Sequence, residues 1–232
     1  MKIALFGYGK MGKTIERIAV KRGHEIVTKI DVNTKNYNIT MADVAIDFST
    51  PIAAFNNINE CFSKSIPIIS GTTGWLDKFD IAVKNCNKRN GAFIYASNFS
   101  LGVNLFFELN AKLARMMSNF NYNIDMEEIH HTQKLDAPSG TAITLAEGII
   151  ENSNKEKWSL NVTDNDNVIP IVSKRIENVA GTHTVKYSSD VDEIEIKHIA
   201  QNRDGFALGA VIAAEWLQGK KGVYTMKDVL GI

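Results

Sequence analysis

Cysteine is nearly absent from this 232-residue chain: Cys61 and Cys86 are the only two, and they form no CxxC. A disulfide framework and a cysteine-rich zinc site are thereby excluded, and two reduced thiols of a cytoplasmic protein are expected. An excess of either charge is also lacking, with 26 Lys and Arg set against 26 Asp and Glu. That balance argues against a general nucleic-acid or anionic-membrane binder. No apolar run approaches the roughly 18 residues that a membrane span needs. The opening run Met1 to Phe6 is too short for the apolar part of a secretory signal. Internal repeats and long linkers are missing as well. What is present is an ordinary 44% of hydrophobic residues, enough for a real core in one large or two modest domains.

Hydrophobic spacing divides the chain into two styles. Lys2 to Phe6 is strand-like, Met11, Ile15, Ile18 and Ala19 recur at helical spacing, and Ile26 to Ile30 is a second strand closed by Asp31. The alternation continues with strands at Asp43–Phe48, Ile66–Ser70 and Ala92–Ala96, and with helices starting at Ser49-Thr50-Pro51 and running near 77–89. Strands alternating with helices predict an α/β fold with a doubly wound, mostly parallel sheet. After Asn98 the pattern changes. A helix through Leu105, Leu109, Leu113 and Met116 leads to a strand from Tyr122 to Glu128 and a helix over Ser139–Glu151. The polar stretch Asn152–Asn167 reads as surface loops. Strands are then expected at Val168–Val172, Thr182–Tyr187 and Glu193–Ile199, in a one-sided and therefore typically antiparallel sheet. An apolar helix, Phe206–Leu217, ends at Gly219 and is expected to pack back on the first domain. The domains are accordingly read as 1–99 with 205–232, and 100–204.

Two stretches carry chemistry. Gly7-Tyr8-Gly9-Lys10-Met11-Gly12 follows a strand and opens a helix, and Asp31 ends the next strand. That is the dinucleotide fingerprint: glycines let the backbone turn and approach a pyrophosphate, which rests on the helix N-terminus. Asp31 suits the adenosine ribose hydroxyls, and a 2′-phosphate there needs a compensating cation. Lys35 is the only candidate within the next few residues and equally reads as a solvated loop lysine, so NAD(H) fits at least as well as NADP(H) and both stand. Gly71-Thr72-Thr73-Gly74 and Ser97-Asn98-Phe99-Ser100 follow strands, so each fits either the ligand-binding edge of the sheet or an ordinary turn.

The second stretch is Glu128-Ile129-His130-His131-Thr132-Gln133-Lys134-Leu135-Asp136-Ala137-Pro138-Ser139-Gly140-Thr141-Ala142. An imidazole that titrates near about 6.5 can give a proton or anchor an anion. Lys134 adds a compact cation, and Ser139-Gly140-Thr141 at a helix start adds hydroxyls and backbone N–H groups. Adjacent histidines on an extended segment point to opposite sides, and no further ligand lies at metal spacing, so no metal is expected. His183 and His198 read as satisfied sheet histidines rather than catalysts.

With these residues in hand, the chain resembles the 4-hydroxy-tetrahydrodipicolinate reductases, also called dihydrodipicolinate reductases, of bacterial and plant lysine biosynthesis. The likeness runs over nearly the full length, through Asp47-Phe48-Ser49-Thr50-Pro51, Ser97 to Asn104, the Glu128–Ala142 stretch and His198-x-Ala200-x-x-Arg203. It implies a Rossmann domain completed by the carboxyl-terminal helix, and an α+β substrate domain whose open mixed sheet pairs subunits into a homotetramer. It implies cofactor contacts at Gly7, Tyr8, Gly9, Lys10, Met11, Gly12, Asp31, Gly71, Thr72, Thr73, Ser97, Asn98, Phe99 and Ser100. His130 and Lys134 would be the proton-donor pair, and a small dicarboxylate would sit on His131, Lys134, Ser139, Gly140 and Thr141.

Three departures stand out. The segment Asn33–Thr40 is short, the Arg often found after the second strand is missing at Val32, and Glu177 stands where a Gly is expected, which puts local strand geometry in question. Two other functions compete: a different dinucleotide-dependent dehydrogenase, which leaves the His130–Thr141 constellation unexplained, and a non-catalytic NAD(H) sensor, which intact His130 and Lys134 oppose.

Overall fold

A computed structural model describes residues 1–161 and 165–232. The chain runs β1 (Lys2–Phe6), α1 (Lys10–Lys21), β2 (Glu25–Ile30), β3 (Val44–Asp47), α2 (Pro51–Ser63), β4 (Ile68–Ser70), α3 (Phe79–Lys88) and β5 (Ala92–Tyr95). Then come α4 (Leu101–Met117), β6 (Asn123–His130), α5 (Gly140–Ile150), β7 (Lys157–Leu160), β8 (Val168–Arg175), β9 (Gly181–Ser188) and β10 (Glu193–Ala200). It closes with α6 (Asp204–Leu217), β11 (Gly222–Tyr224) and α7 (Met226–Leu230). Two compact units result: Met1–Leu101 with Arg203–Ile232, and Gly102–Asn202. Among the described residues no helix is long and apolar enough to cross a membrane.

The first unit is a six-stranded sheet in the order β11-β5-β4-β3-β1-β2, parallel throughout. Its central strands are apolar because both faces are covered: Ile3, Leu5, Ile46, Ile69 and Ile94 meet α1 and α6 on one side, and Ala4, Phe6, Ala45, Ile68 and Phe93 meet α2 and α3 on the other. The chain reverses its direction of strand addition between β2 and β3, both of which flank β1, and this places the ligand crevice at the carboxyl ends of β1 and β3. Helix α6 packs into the core of this unit through Ala207, Ala210, Val211, Ala214 and Leu217. The strand β11 and helix α7 extend the unit beyond Gly219, where the residue pattern suggested nothing; three strand residues are too few to show a period.

The second unit is a five-stranded sheet, β10-β9-β6-β8-β7. Only the β10-β9-β6 half is antiparallel; β6-β8 and β8-β7 are parallel, so the sheet is mixed, as the resemblance implied, and the antiparallel expectation drawn from its one wet face needs correction. Helices α4 and α5 cover one face, with Phe106, Ala114, Leu145 and Ile149 set against Met126, Ile171, Val185 and Tyr187. The expected loop 152–167 also needs correction, since it contains β7 at the sheet edge. A short edge strand with half-exposed residues carries little periodic signal. Residues 162–164 of that expected loop lie outside the described residues. Glu177 needs no special geometry. It lies in the turn after β8, where Asn178 takes the left-handed position at φ 63°.

Gly209 shows how closely α6 approaches the β5–α4 connection. A Cβ there would sit 1.7 Å from the Phe99 carbonyl oxygen. Gly209→Ala is therefore expected to destabilise the protein by about 1–3 kcal/mol through overpacking. Urea unfolding should show a lower midpoint, and an unchanged midpoint would mean that the helix shifts without cost.

Candidate active site

In the first unit a cavity of about 560 Å³ opens at the carboxyl ends of β1, β2 and β3, lined among others by Gly7, Tyr8, Gly9, Asp31, Ser49 and Thr50. Gly7 turns there with φ 89°, and a Cβ on it would meet the Phe48 carbonyl oxygen at 2.0 Å. Lys10, Met11 and Gly12 form the first turn of α1, and a Cβ on Gly12 would meet the Gly7 carbonyl oxygen at 2.2 Å. The N-cap, Gly9, offers no side-chain cap, the first turn holds no acid, and the space where a Gly9 Cβ would stand is open. A helix start of this kind presents N–H donors and the positive end of the helix dipole to an anion. The residues therefore fit a dinucleotide pyrophosphate.

Asp31 is exposed, and its Oδ1 accepts from the Asn33 N–H at 2.9 Å and from the Thr34 hydroxyl at 3.1 Å. No lysine or arginine is among the described residues lining this cavity. Lys29 is committed to Glu16 at 2.6 Å.

Gly71, Thr72 and Thr73 line a smaller neighbouring cavity with Met11, Phe48 and Ser49. The buried carboxylate Asp47 holds this edge together. It accepts from the hydroxyls of Ser49 (2.6 Å), Ser70 (2.7 Å) and Thr72 (2.7 Å) and from the Asn57 amide (3.0 Å). Ser97 is exposed, while Asn98, Phe99 and Ser100 are buried. The Phe99 ring lies in the core 5.8 Å from Phe48, so only its backbone is available to a ligand.

The second unit carries the other constellation. Successive residues on one face of β6 align in rows across the sheet: Ile194–Tyr187–Ile124, then Ile196–Val185–Met126, then His198–His183–Glu128–Ser173. The first two rows are mostly apolar. Glu128 occupies the next place on the same face and is fully buried. Its Oε1 accepts from Arg175 Nη2 at 3.1 Å, and its Oε2 lies 3.0 Å from His130 Nδ1 and 3.9 Å from His183 Nε2. Burial by itself would raise the pKa of Glu128; the surrounding His130, Ser139 and Ser173 side chains outweigh it and hold the group well below the usual carboxylate range.

His130 ends β6 and is buried, whereas His131 begins the following turn and is partly exposed. The Lys134 N–H bonds to the His131 carbonyl at 3.1 Å, and the Lys134 ammonium sits on both Asp136 oxygens at 2.8 Å. Arg175 secures this segment through the Lys134 carbonyl at 3.2 Å and the Asp136 carbonyl at 2.5 Å. Ser139 is buried and caps α5, its Oγ accepting from the Ala142 N–H at 3.2 Å and lying 3.0 Å from His183 Nε2. Its hydroxyl is engaged, which leaves Gly140 and Thr141 as the residues at the exposed start of the helix.

Arg175 and His183 were not among the expected site residues. The signal for them was weak: pairing of β8 and β9 with β6 is not written in any local pattern. Glu128, His130 and His183 each bring a ligand atom within 4.8 Å of the others. Arg175 already sits on that carboxylate, and a second cation would be repelled by it. His183 is pushed down to about 3, first by burial and then by the charge of His130, with Glu128 opposing.

Comparison with known proteins points one way. The family model described as dihydrodipicolinate reductase, N-terminus, matches residues 1–99, and that of the C-terminus matches 102–230. A 4-hydroxy-tetrahydrodipicolinate reductase of Christiangramia forsetii is 60% identical, covering 99% of this chain and 98% of its own. One of Neisseria meningitidis is 36% identical over 84% of this chain and 74% of its own. Among solved structures, a dipicolinate-bound dihydrodipicolinate reductase from Paenisporosarcina superposes with a TM-score of 0.79 at 23% identity, covering 97% of each chain.

A neutral buried histidine makes stability depend on pH. Its folded pKa lies below the unfolded value of 6.5, so above that value His183 contributes nothing. As pH falls from 6.5 toward 3 the unfolded chain takes up a proton that the folded chain refuses, and stability is lost. At pH 5 the loss is about 2 kcal/mol. Denaturant midpoints measured at pH 7 and pH 5 should fall less in His183→Gln than in the unmodified protein. Equal slopes would assign the effect to other groups.

Proposed function

The chain belongs to the dihydrodipicolinate reductase family, and from that premise we propose how its residues divide the work. The activity is the NAD(P)H-dependent reduction of 4-hydroxy-tetrahydrodipicolinate, with loss of water, to tetrahydrodipicolinate in the diaminopimelate route to lysine. The observation that carries the division of labour is the grouping of His130, Lys134 and the start of α5 around one buried carboxylate.

The bound nicotinamide supplies the hydride, and the protein supplies position, charge and the proton. In the first unit, the backbone of Gly7 to Gly12 receives the pyrophosphate, and Asp31 receives the adenosine ribose. Gly71 to Thr73 and Ser97 to Ser100, with Phe99 through its backbone alone, complete the cofactor contacts. In the second unit, the N–H groups of Gly140 and Thr141 take one substrate carboxylate at the positive end of α5. His131 and Lys134 take the other, for which Lys134 exchanges its hold on Asp136. Ser139 shapes this cradle as the cap. Reduction of the substrate ring would leave negative charge on it, and a cation and a proton from the protein would meet that charge. His130, paired with Glu128, gives the proton, and Lys134 stabilises the developing charge.

We also propose that NADH is preferred. Asp31 repels a 2′-phosphate, and the cavity lining offers no lysine or arginine against it. The family resemblance supports a cytoplasmic homotetramer assembled through the open sheet of the second unit, whose edge strand β10 leaves Ile199 54% exposed.

Oxidation of NADH followed at 340 nm with the hydroxylated substrate tests the reading. His130→Gln should lower kcat by about 100-fold or more while moving KM little, since a proton donor acts in the transition state. An unchanged kcat would remove His130 from that role. In the same assay kcat/KM with NADH should exceed that with NADPH by about tenfold, and parity or reversal would overturn the assignment to Asp31.

A further inference from the structure

We propose that Glu128 and Arg175 form a positioning pair that holds the proton donor and the active-site lysine in register with each other. The proposal rests on the assignment of His130 and Lys134 made above.

Each half of the pair has a distinct grip. The Glu128 carboxylate lies 3.0 Å from His130 Nδ1, close enough for its charge to favour a proton on that nitrogen although the two atoms are not aligned as a hydrogen bond. Its other oxygen takes Arg175 Nη2 at 3.1 Å. That guanidinium reaches past the carboxylate to three backbone carbonyls: Lys134 at 3.2 Å, Asp136 at 2.5 Å and Lys174 at 2.8 Å. Two of these lie in the segment between β6 and α5. A planar fork with five fixed donors can do this, and a lysine cannot.

Neither residue is built to act on substrate directly. Glu128 has no exposed surface, and the Arg175 hydrogen bonds run to this protein's own groups. Charged and titratable neighbours of the pair are engaged elsewhere, Lys174 with Glu127 among them. Lys134 and Asp136 hold each other at 2.8 Å. His183 stays neutral against Ser139, and His198 stacks on Phe106 with ring centroids 6.0 Å apart. Removing the charge of Glu128 would leave Arg175 without its counter-ion and His130 without its orienting anion.

The test uses the full-length protein and the NADH assay. Glu128→Gln preserves volume and one acceptor oxygen but removes the charge. It should lower kcat at least tenfold and leave KM for NADH within about twofold, because the dinucleotide contacts belong to the first unit. Imidazole ¹⁵N spectra give a readout independent of turnover. The His130 signals, assigned by their disappearance in His130→Gln, should show a proton on Nδ1 that is lost or shared in Glu128→Gln. Arg175→Lys keeps the charge without the fork, and should raise substrate KM or lower kcat at least fivefold; it also serves if Glu128→Gln fails to fold. Wild-type kinetics and an unchanged His130 tautomer in Glu128→Gln, or wild-type kinetics in Arg175→Lys, would overturn the pair. If His130→Gln loses activity and these variants do not, the positioning inference fails alone. If His130→Gln keeps full activity, the proton-donor assignment itself fails.

Discussion

A carboxylate with no accessible surface cannot be left without partners, and Glu128 imposes that constraint on the whole carboxyl end of the second sheet. Its place follows from strand geometry. On β6 the side chains of Ile124, Met126 and Glu128 share one face, so the step that buries two apolar residues also buries the charge. What surrounds it then follows from register. The parallel neighbour β8 brings Arg175 beside His130, and the antiparallel neighbour β9 brings His183 opposite Glu128. A mixed sheet is therefore more than a topological detail here, since it delivers a cation and a neutral imidazole from opposite sides of one anion.

The first unit solves a similar problem with different chemistry. Asp47 is also buried at a strand end, yet its partners are hydroxyls and an amide: Ser49, Ser70, Thr72 and Asn57. Those donors come from β4, from α2 and from the turns after β3 and β4, so the carboxylate ties together the loops at the carboxyl edge of the sheet. Ser49 adds a second link, its N–H donating to the Thr72 hydroxyl at 2.9 Å. A net of short neutral donors fixes backbone without placing a compensating cation in it. Glu128, by contrast, sits among groups that are themselves charged or titratable: Arg175, His130 and His183.

Much of this could be read from the residues. The first unit's alternation of strands and helices, the glycine turn before α1, Asp31 after β2 and the Ser139 cap each depend on neighbours in sequence, and local patterns report them. The likeness to a known reductase family was carried by the same local motifs. What escaped was decided by pairing between distant segments. Arg175 carries no local mark of its role, because nothing near it in sequence shows that β8 lies beside β6. His183 was read as a satisfied sheet histidine, which its Ser139 contact supports, but its closeness to Glu128 depends on register. The edge strands β7 and β11 escaped for a simpler reason, being four and three residues long.

The charged cluster around Glu128 also shows why stability and site geometry need not favour the same residues. Desolvating a carboxylate, a guanidinium and an imidazole is expensive, and a well-packed apolar substitute of similar volume is often as stable or more so. Such a substitute would still bury the end of β6. It could not orient the His130 ring or take hold of the Lys134 and Asp136 carbonyls, because apolar contacts are non-directional. Hydrogen bonds to ions are directional and short-ranged, so they convert a burial cost into fixed positions. The segment His131–Pro138 has no strand or helix to hold it, and two of the hydrogen bonds that fix its backbone come from one guanidinium. The geometry of the lysine that faces the substrate in our assignment is thus tied, through Arg175 and Glu128, to the orientation of the histidine that gives the proton.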